Sequence, residues 1–231
     1  MDEKIRIAFF VEGQTERIFV EKFLYEYIGF DNFELEILCY KGQAVIKNPG
    51  ARFYIVIHDV GGDGNLFNTI EEQAEKMLKD SDYSYIIGLR DLYNPKHPDL
   101  HSRKQEIRDE LIKLFYKRFD KCDYKHTIKL VIAVMEIEAW FLLDKGCFDR
   151  ITKKPEEVSK ILDKENTEEY DHPAKVVDKI YWLSGNAYGK HEDDSYRITH
   201  NLDYNFLCSD ATKARSDSWH CFVECVDNCF A

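Results

Sequence analysis

No run of apolar residues in this 231-residue chain approaches the roughly 18 needed to cross a bilayer, so no transmembrane helix is expected. Basic charge is scarce as well: 32 Lys and Arg against 43 Asp and Glu leave a net charge of −11. A free-standing nucleic-acid binder is usually basic. Any activity on nucleic acid therefore has to rest on a local basic patch, on a metal or on a partner chain. There is no Gly-x-Ser-x-Gly nucleophile elbow, no His-Glu-x-x-His and no repeat period. The N-terminus, Met-Asp-Glu-Lys and then an apolar strand, lacks the basic start and apolar core of a secretory leader. Seven cysteines, an odd number without framework-like spacing, argue against a secreted disulfide scaffold. A reducing cytoplasm is the expected home.

What is present is ample material for a core: 44% of residues are hydrophobic and 14% aromatic. The stretch from Ile5 to Val11 is an apolar run ending at Glu12-Gly13, the pattern of a buried central strand in an α/β sheet. Ligands bind at the carboxyl ends of such strands, so Glu12 is placed to hold a cation. A helix is expected from Gln14 to Ile28, and a less central strand over Phe33 to Cys39. Lys41 to Gly50, with two glycines and a proline, reads as a loop. Phe53 to Ile57 is a second buried strand, leading into His58-Asp59 and a glycine-rich loop. That loop lacks a following Gly-Lys-Ser/Thr and the dinucleotide spacing, so it reads as structural. His58 and Asp59 supply half of a site for a small-molecule, metal-dependent phosphohydrolase, a chemistry that needs further ligands at matching positions. Asn68 to Glu71 reads as the cap of a helix to about Lys79.

Tyr85 to Leu89 is the next strand and delivers Arg90 and Asp91, followed by a loop turning at Pro95 and Pro98. Ser102 to Gln105 opens a helix whose buried face is Ile107, Leu111, Leu114, Phe115 and Phe119. Its other face, with Arg103, Lys104 and Arg108, is either a solvated face or, with Arg90, a phosphate-contacting one. Thr127 to Met135 is a strong strand running into Glu136-Ile137-Glu138-Ala139-Trp140. If the chain stays extended there, Glu136 and Glu138 point to one side; if it is already helical they diverge by about 200° and one alone serves the site.

These residues resemble the Toprim superfamily: Glu12-Gly13 after the first strand, Asp91 after a later one, and Glu-x-Glu-Ala-Trp at a strand-to-helix junction. The closer likeness is to its OLD-like and RloB/DUF4276-type branch, found in bacterial anti-phage defence and nuclease systems. His172-Pro173-Ala174-Lys175 and Arg215-Ser216-Asp217-Ser218-Trp219 add to it. The resemblance implies an α/β domain with a mainly parallel sheet flanked by helices. It also implies Mg²⁺ or Mn²⁺ held by Glu12, Asp91, Glu136 and Glu138, with Glu12, Asp91 and Glu136 in the catalytic roles. The reaction implied is phosphodiester cleavage in DNA or RNA. The usual Asp-x-Asp is here Asp91-Leu92-Tyr93, so the second acid is missing. That leaves open a non-catalytic interaction module working with an ATPase or other partner chain, or as a homodimer.

The expected layout is a Toprim-like domain over residues 1–145 and a helical extension over 146–231. In the extension, Asp163 to Asp171 reads as a solvated connection, and Ser184 to Asp194, with two glycines and an acidic triplet, as a loop. Residues 196–207 read as one helix packing Ile198, Leu202 and Phe206 inward, and a last helix is capped near Asp217. Cys221, Cys225 and Cys229 on that helix align on one face. Three ligands in line cannot surround a tetrahedral ion, so these cysteines read as packing residues.

Overall fold

The computed structural model describes residues 4–62, 64–93 and 99–231. Asp63 of the glycine-rich loop, and the turn expected at Pro95 and Pro98, lie outside these residues. The fold is α/β: a six-stranded, mostly parallel sheet with flanking helices, and helices through the C-terminal part of the chain. The strands are β1 (Ile5–Val11), β2 (Phe33–Cys39), β3 (Gly42–Ile46), β4 (Phe53–Asp59), β5 (Tyr83–Asp91) and β6 (Ile128–Ala133), in the order β3-β2-β4-β1-β5-β6. β1 pairs in parallel with both β4 and β5. Neighbours on both sides and layers above and below leave Ile7 to Val11 fully buried, which is why that run is apolar without alternation.

The segment expected to be a loop, Lys41 to Gly50, contains β3, which pairs antiparallel with β2 from Leu35↔Ile46 to Cys39↔Gly42. Gly42 makes the reversal at φ 126°, a conformation that favours glycine. β3 is a sheet edge and most of it is exposed, so backbone pairing holds it and no apolar alternation marks it in the sequence.

The helices are α1 (Gln14–Phe23), α2 (Leu66–Glu75), α3 (Lys104–Lys117), α4 (Glu138–Phe141), α5 (Lys145–Ile151), α6 (Pro155–Ile161), α7 (Pro173–Trp182), α8 (Glu192–Thr199), α9 (Tyr204–Leu207), α10 (Asp210–Lys213) and α11 (Asp217–Phe230). α1 continues as a wider π-type turn over Leu24–Gly29. α2 starts before the capping pattern at Asn68, because Leu66 and Phe67 are buried and draw the first turn onto the core. Asn68 and Glu71 instead hold Arg118, at 2.9 and 2.6 Å. α2 passes so close to β5 that a Cβ on Gly88 would stand 2.8 Å from Ile70 Cδ1. On α3, Ile107, Phe115 and Phe119 of the expected face are buried, whereas Leu114 is 59% exposed.

By contacts the chain falls into two compact units. One is Met1–Arg90, Arg108–Val131 and Cys225–Ala231; the other is Asp91–Ile107 and Ile132–Glu224. The division does not fall at residue 145. The chain passes out of the first unit after Arg90 and Val131, and the residues that follow are bonded to one another within the second unit: Leu92 N–H donates to the Ala133 carbonyl at 2.9 Å, and Tyr93 N–H to that of Met135 at 2.6 Å.

The second unit has its own aromatic core of Trp140, Trp219 and Phe222, with ring centroids 5.2 to 5.6 Å apart. A polar pin runs through it. Ser218 Oγ accepts from Trp140 Nε1 at 2.8 Å and from Val134 N–H at 3.3 Å, and donates to Glu168 at 2.6 Å. Ser216 Oγ and Ser218 N–H also donate to Glu168. The acidic run Asp163 to Asp171 is therefore not simply solvated: Glu168 anchors the start of α11 and Thr167 is buried. The cap expected near Asp217 is its neighbour Ser216, whose Oγ accepts from Trp219 N–H at 3.1 Å. Ser218→Ala removes the buried acceptor of the indole N–H, and a loss of about 1–3 kcal/mol is expected in urea unfolding, with the fold retained.

The helix expected over 196–207 is two helices. Asp203 accepts from Phe206 N–H and starts α9 in a new direction, which leaves Phe206 42% exposed while Ile198 and Leu202 stay buried. Among the described residues no helix is long and apolar enough to cross a membrane.

Candidate functional site

β6 ends at Ala133 and the chain then turns sharply. Met135 is buried with φ +64°, and Glu136 N–H donates to the Val134 carbonyl at 3.1 Å. An i to i+2 bond around a residue of positive φ is the γ-turn in its rare, strained form. The turn is followed at once by α4. Glu136 and Glu138 thus follow neither the extended nor the helical alternative alone, and both reach the same place.

That place is the ammonium of Lys190. Its Nζ lies 3.0 Å from Glu138 Oε2, 3.2 Å from Glu136 Oε1 and 4.0 Å from Asp91 Oδ2. The second oxygen of each carboxylate is held by the protein. Ile137 N–H donates to Asp91 Oδ1 at 2.7 Å, Ala174 N–H at the start of α7 to Glu136 Oε2 at 3.0 Å, and the Tyr188 hydroxyl to Glu138 Oε1 at 2.7 Å. Three carboxylates are fixed by one oxygen each and present the other to a single cation. All seven residues belong to the second unit.

Glu138 is fully buried, and burial pushes its carboxyl above the usual range; Glu136 adds to this, while Lys190 and the Tyr188 hydroxyl work against it. For Lys190, burial opposes the charge, but attraction to Glu138, Asp91 and Glu136 outweighs it and raises the pKa. Lys190 has φ +56° and stands on the connection before α8, in the segment expected to be a loop. Tyr188 and Lys190 carry no periodic or motif signal; a tyrosine and a lysine flanking Gly189 amid acidic residues was the available clue.

The other candidates have partners of their own. Glu12 follows β1 in the first unit, is 5% exposed, and stands 3.5 Å from Arg90 Nε. Asp59, at the end of β4, accepts from Gly61 N–H at 3.0 Å and lies 3.7 Å from Arg17 Nε; burial raises its carboxyl. His58 is held below its ordinary range by burial and packs on Phe10. Arg103 pairs with Glu106, and Lys104 with Asp171 at 3.2 Å, while Arg108 is buried. Much of the basic charge of this region is thus committed within the chain. Cys221 is exposed, Cys225 intermediate and Cys229 buried. Among the described residues, no group of three His, Cys, Asp or Glu side chains is gathered to hold a metal as it stands.

The family described as "Domain of unknown function (DUF4276)" matches residues 11–222. The chain belongs to the DUF4276 family. The match takes in Glu12 and every residue of the Lys190 cluster, so the second unit's site lies inside the DUF4276 region. No curated protein and no solved structure matches the chain.

Proposed function

We propose that this DUF4276 chain is a divalent-metal-dependent nuclease that cleaves phosphodiester bonds in DNA or RNA by Toprim-type chemistry. The observation that carries the reading is the set of three carboxylate oxygens, from Asp91, Glu136 and Glu138, turned toward one positive charge. The donor set fits the metal in kind: carboxylate oxygens suit Mg²⁺ and Mn²⁺. Three carboxylates around one ammonium also leave negative charge in excess, which a divalent ion offsets better. The side chain of Lys190 is 37% exposed, so the ammonium has a way out to solvent when a metal enters.

Bound there, a metal supplies charge neutralisation on the phosphate and an activated water. The chain's part is to fix the ligands. Ile137 N–H, Ala174 N–H and the Tyr188 hydroxyl hold the outer oxygens, so that the inner ones keep their direction when the cation changes. The resemblance gives Glu12 a metal-site and proton-transfer role, and Glu12→Ala in the cleavage assay tests that assignment. A cytoplasmic home and a place as effector in a bacterial anti-phage system belong to the same reading; the free thiols of the chain suit a reducing compartment.

A second reading has its own support. Lys190 already neutralises part of the cluster, as expected of a degenerate Toprim-like module that works with an ATPase or another partner chain, or as a homodimer. The two separate in one experiment: cleavage of plasmid DNA and of total tRNA with Mn²⁺, Mg²⁺ or EDTA, alongside Mn²⁺ titration calorimetry. The nuclease reading expects metal-dependent cutting and metal binding. Neither cutting nor Mn²⁺ binding supports the module.

A further inference from the structure

Beside the carboxylate cluster stands a set of three rings. His172 packs edge-to-face against both Tyr93 and His101, with centroid distances of 5.6 and 4.8 Å and interplanar angles of 75° and 72°. The set is fastened to the cluster by backbone. Tyr93 is two residues after Asp91, and its N–H donates to the carbonyl of Met135, the turn residue before Glu136. His172 is two residues before Ala174, whose N–H holds Glu136. His101 is exposed, Tyr93 and His172 are partly so, and Lys175 is exposed on the first turn of α7. Asp171, the acid beside these rings, pairs with Lys104 at 3.2 Å, and His101 Nδ1 lies 3.5 Å from its carboxylate.

We infer that Tyr93, His172 and His101 form a stacking platform that seats the bases of single-stranded nucleic acid next to the Asp91, Glu136 and Glu138 cluster. The inference rests on the nuclease reading for its purpose and narrows its substrate to unpaired strands. Every base has a π-face, so stacking on aromatic side chains is tolerant of sequence, but only an unpaired strand exposes those faces. A chain with net charge −11 gains little from phosphate contacts alone. Stacking, with Lys175 at hand for the backbone, is the affinity open to it. Burial, together with Lys175 and His101, holds the His172 imidazole below its usual range against the opposing pull of Glu136 and Asp171.

Binding is measured on the full chain in EDTA, by fluorescence anisotropy of a labelled oligothymidylate, an oligouridylate and a DNA duplex of the same length. The expected result is single strands bound at least about tenfold tighter than duplex. Tyr93→Ala and His172→Ala are each expected to weaken single-strand binding by about tenfold, while His172→Phe, which keeps a ring, holds it near the natural value. Circular dichroism shows that each variant is folded. The proposal is overturned if duplex binds as well as single strands, if the alanine variants bind unchanged, or if no strand binds. The two nucleotide arms assign DNA or RNA. No metal is present in this assay, so ring-dependent binding without metal-dependent cleavage removes the nuclease reading and leaves the platform. Cleavage with ring-independent binding does the reverse.

Discussion

Glu136→Gln is expected to lower Mn²⁺ affinity and metal-dependent cleavage by more than about a hundredfold, while leaving thermal stability close to that of the natural chain. The reasoning starts from what glutamine keeps. Its carbonyl oxygen still accepts from Ala174 N–H, the bond that now holds Glu136 Oε2 at 3.0 Å. What is lost is the charge on the oxygen that faces Lys190 at 3.2 Å. Loss of a residue that merely orients a metal ligand costs about 10- to 100-fold in affinity or activity, and loss of a ligand costs more. Tyr188→Phe supplies the comparison. It removes the hydroxyl that donates to Glu138 at 2.7 Å without touching a carboxylate, so its effect is expected to lie within that smaller range. Calorimetric titration and initial cleavage rates read both variants. Equal Mn²⁺ binding by Glu136→Gln and the natural chain would remove the cluster as a metal site.

Lys190→Met is expected to destabilise the metal-free protein by about 2–3 kcal/mol and to make its stability recoverable with Mn²⁺. Removing one partner of a buried ion pair costs about 3–5 kcal/mol, because the remaining charge is left uncompensated. The lower figure applies here because the Lys190 side chain is 37% exposed and water screens it. The pH dependence follows from Glu138. Its carboxyl titrates above the ordinary value of 4.5 in the fold, and Lys190 is the main influence holding it down. A carboxyl with a raised folded pKa contributes stability that is present below its unfolded pKa and lost as pH rises through the folded one. Without Lys190 the folded pKa rises further. The deficit of Lys190→Met should therefore be small near pH 4.5 and grow toward neutrality. Saturating Mn²⁺ stabilises a folded state by about 2.7 kcal/mol at a hundred times its dissociation constant. It should act more strongly on Lys190→Met, where no ammonium has to leave. Melting temperatures across pH with and without Mn²⁺ decide the matter. A variant that metal does not rescue marks the cluster as a structural ion-pair network and favours the interaction module.

Part of this organisation could be read along the chain. The apolar runs of β1, β4, β5 and β6 stand out because a strand covered on both faces needs no alternation. The acids Asp91 and Glu136 could be found by asking what closes such a run. β3 could not be found that way, since an exposed edge strand is held by its backbone partner and leaves no apolar mark. Glu168 looked like one acid in a solvated run; its three hydrogen bonds come from Ser216 and Ser218, 48 and 50 residues away.

Local pattern was enough to specify an α/β chain with carboxylates at strand ends, because burial of a strand or a helix face is written in the spacing of neighbouring residues. Which groups those carboxylates meet was decided by folding. Lys190 is 54 residues from Glu136, Tyr188 is 50 from Glu138, and Asp91 is 46 from the Ile137 N–H that orients it. Periodicity is blind at such separations. A γ-turn at Met135 and a connection before α8 bring these groups together, and charge balance among them depends on distances that exist only once the second unit has packed.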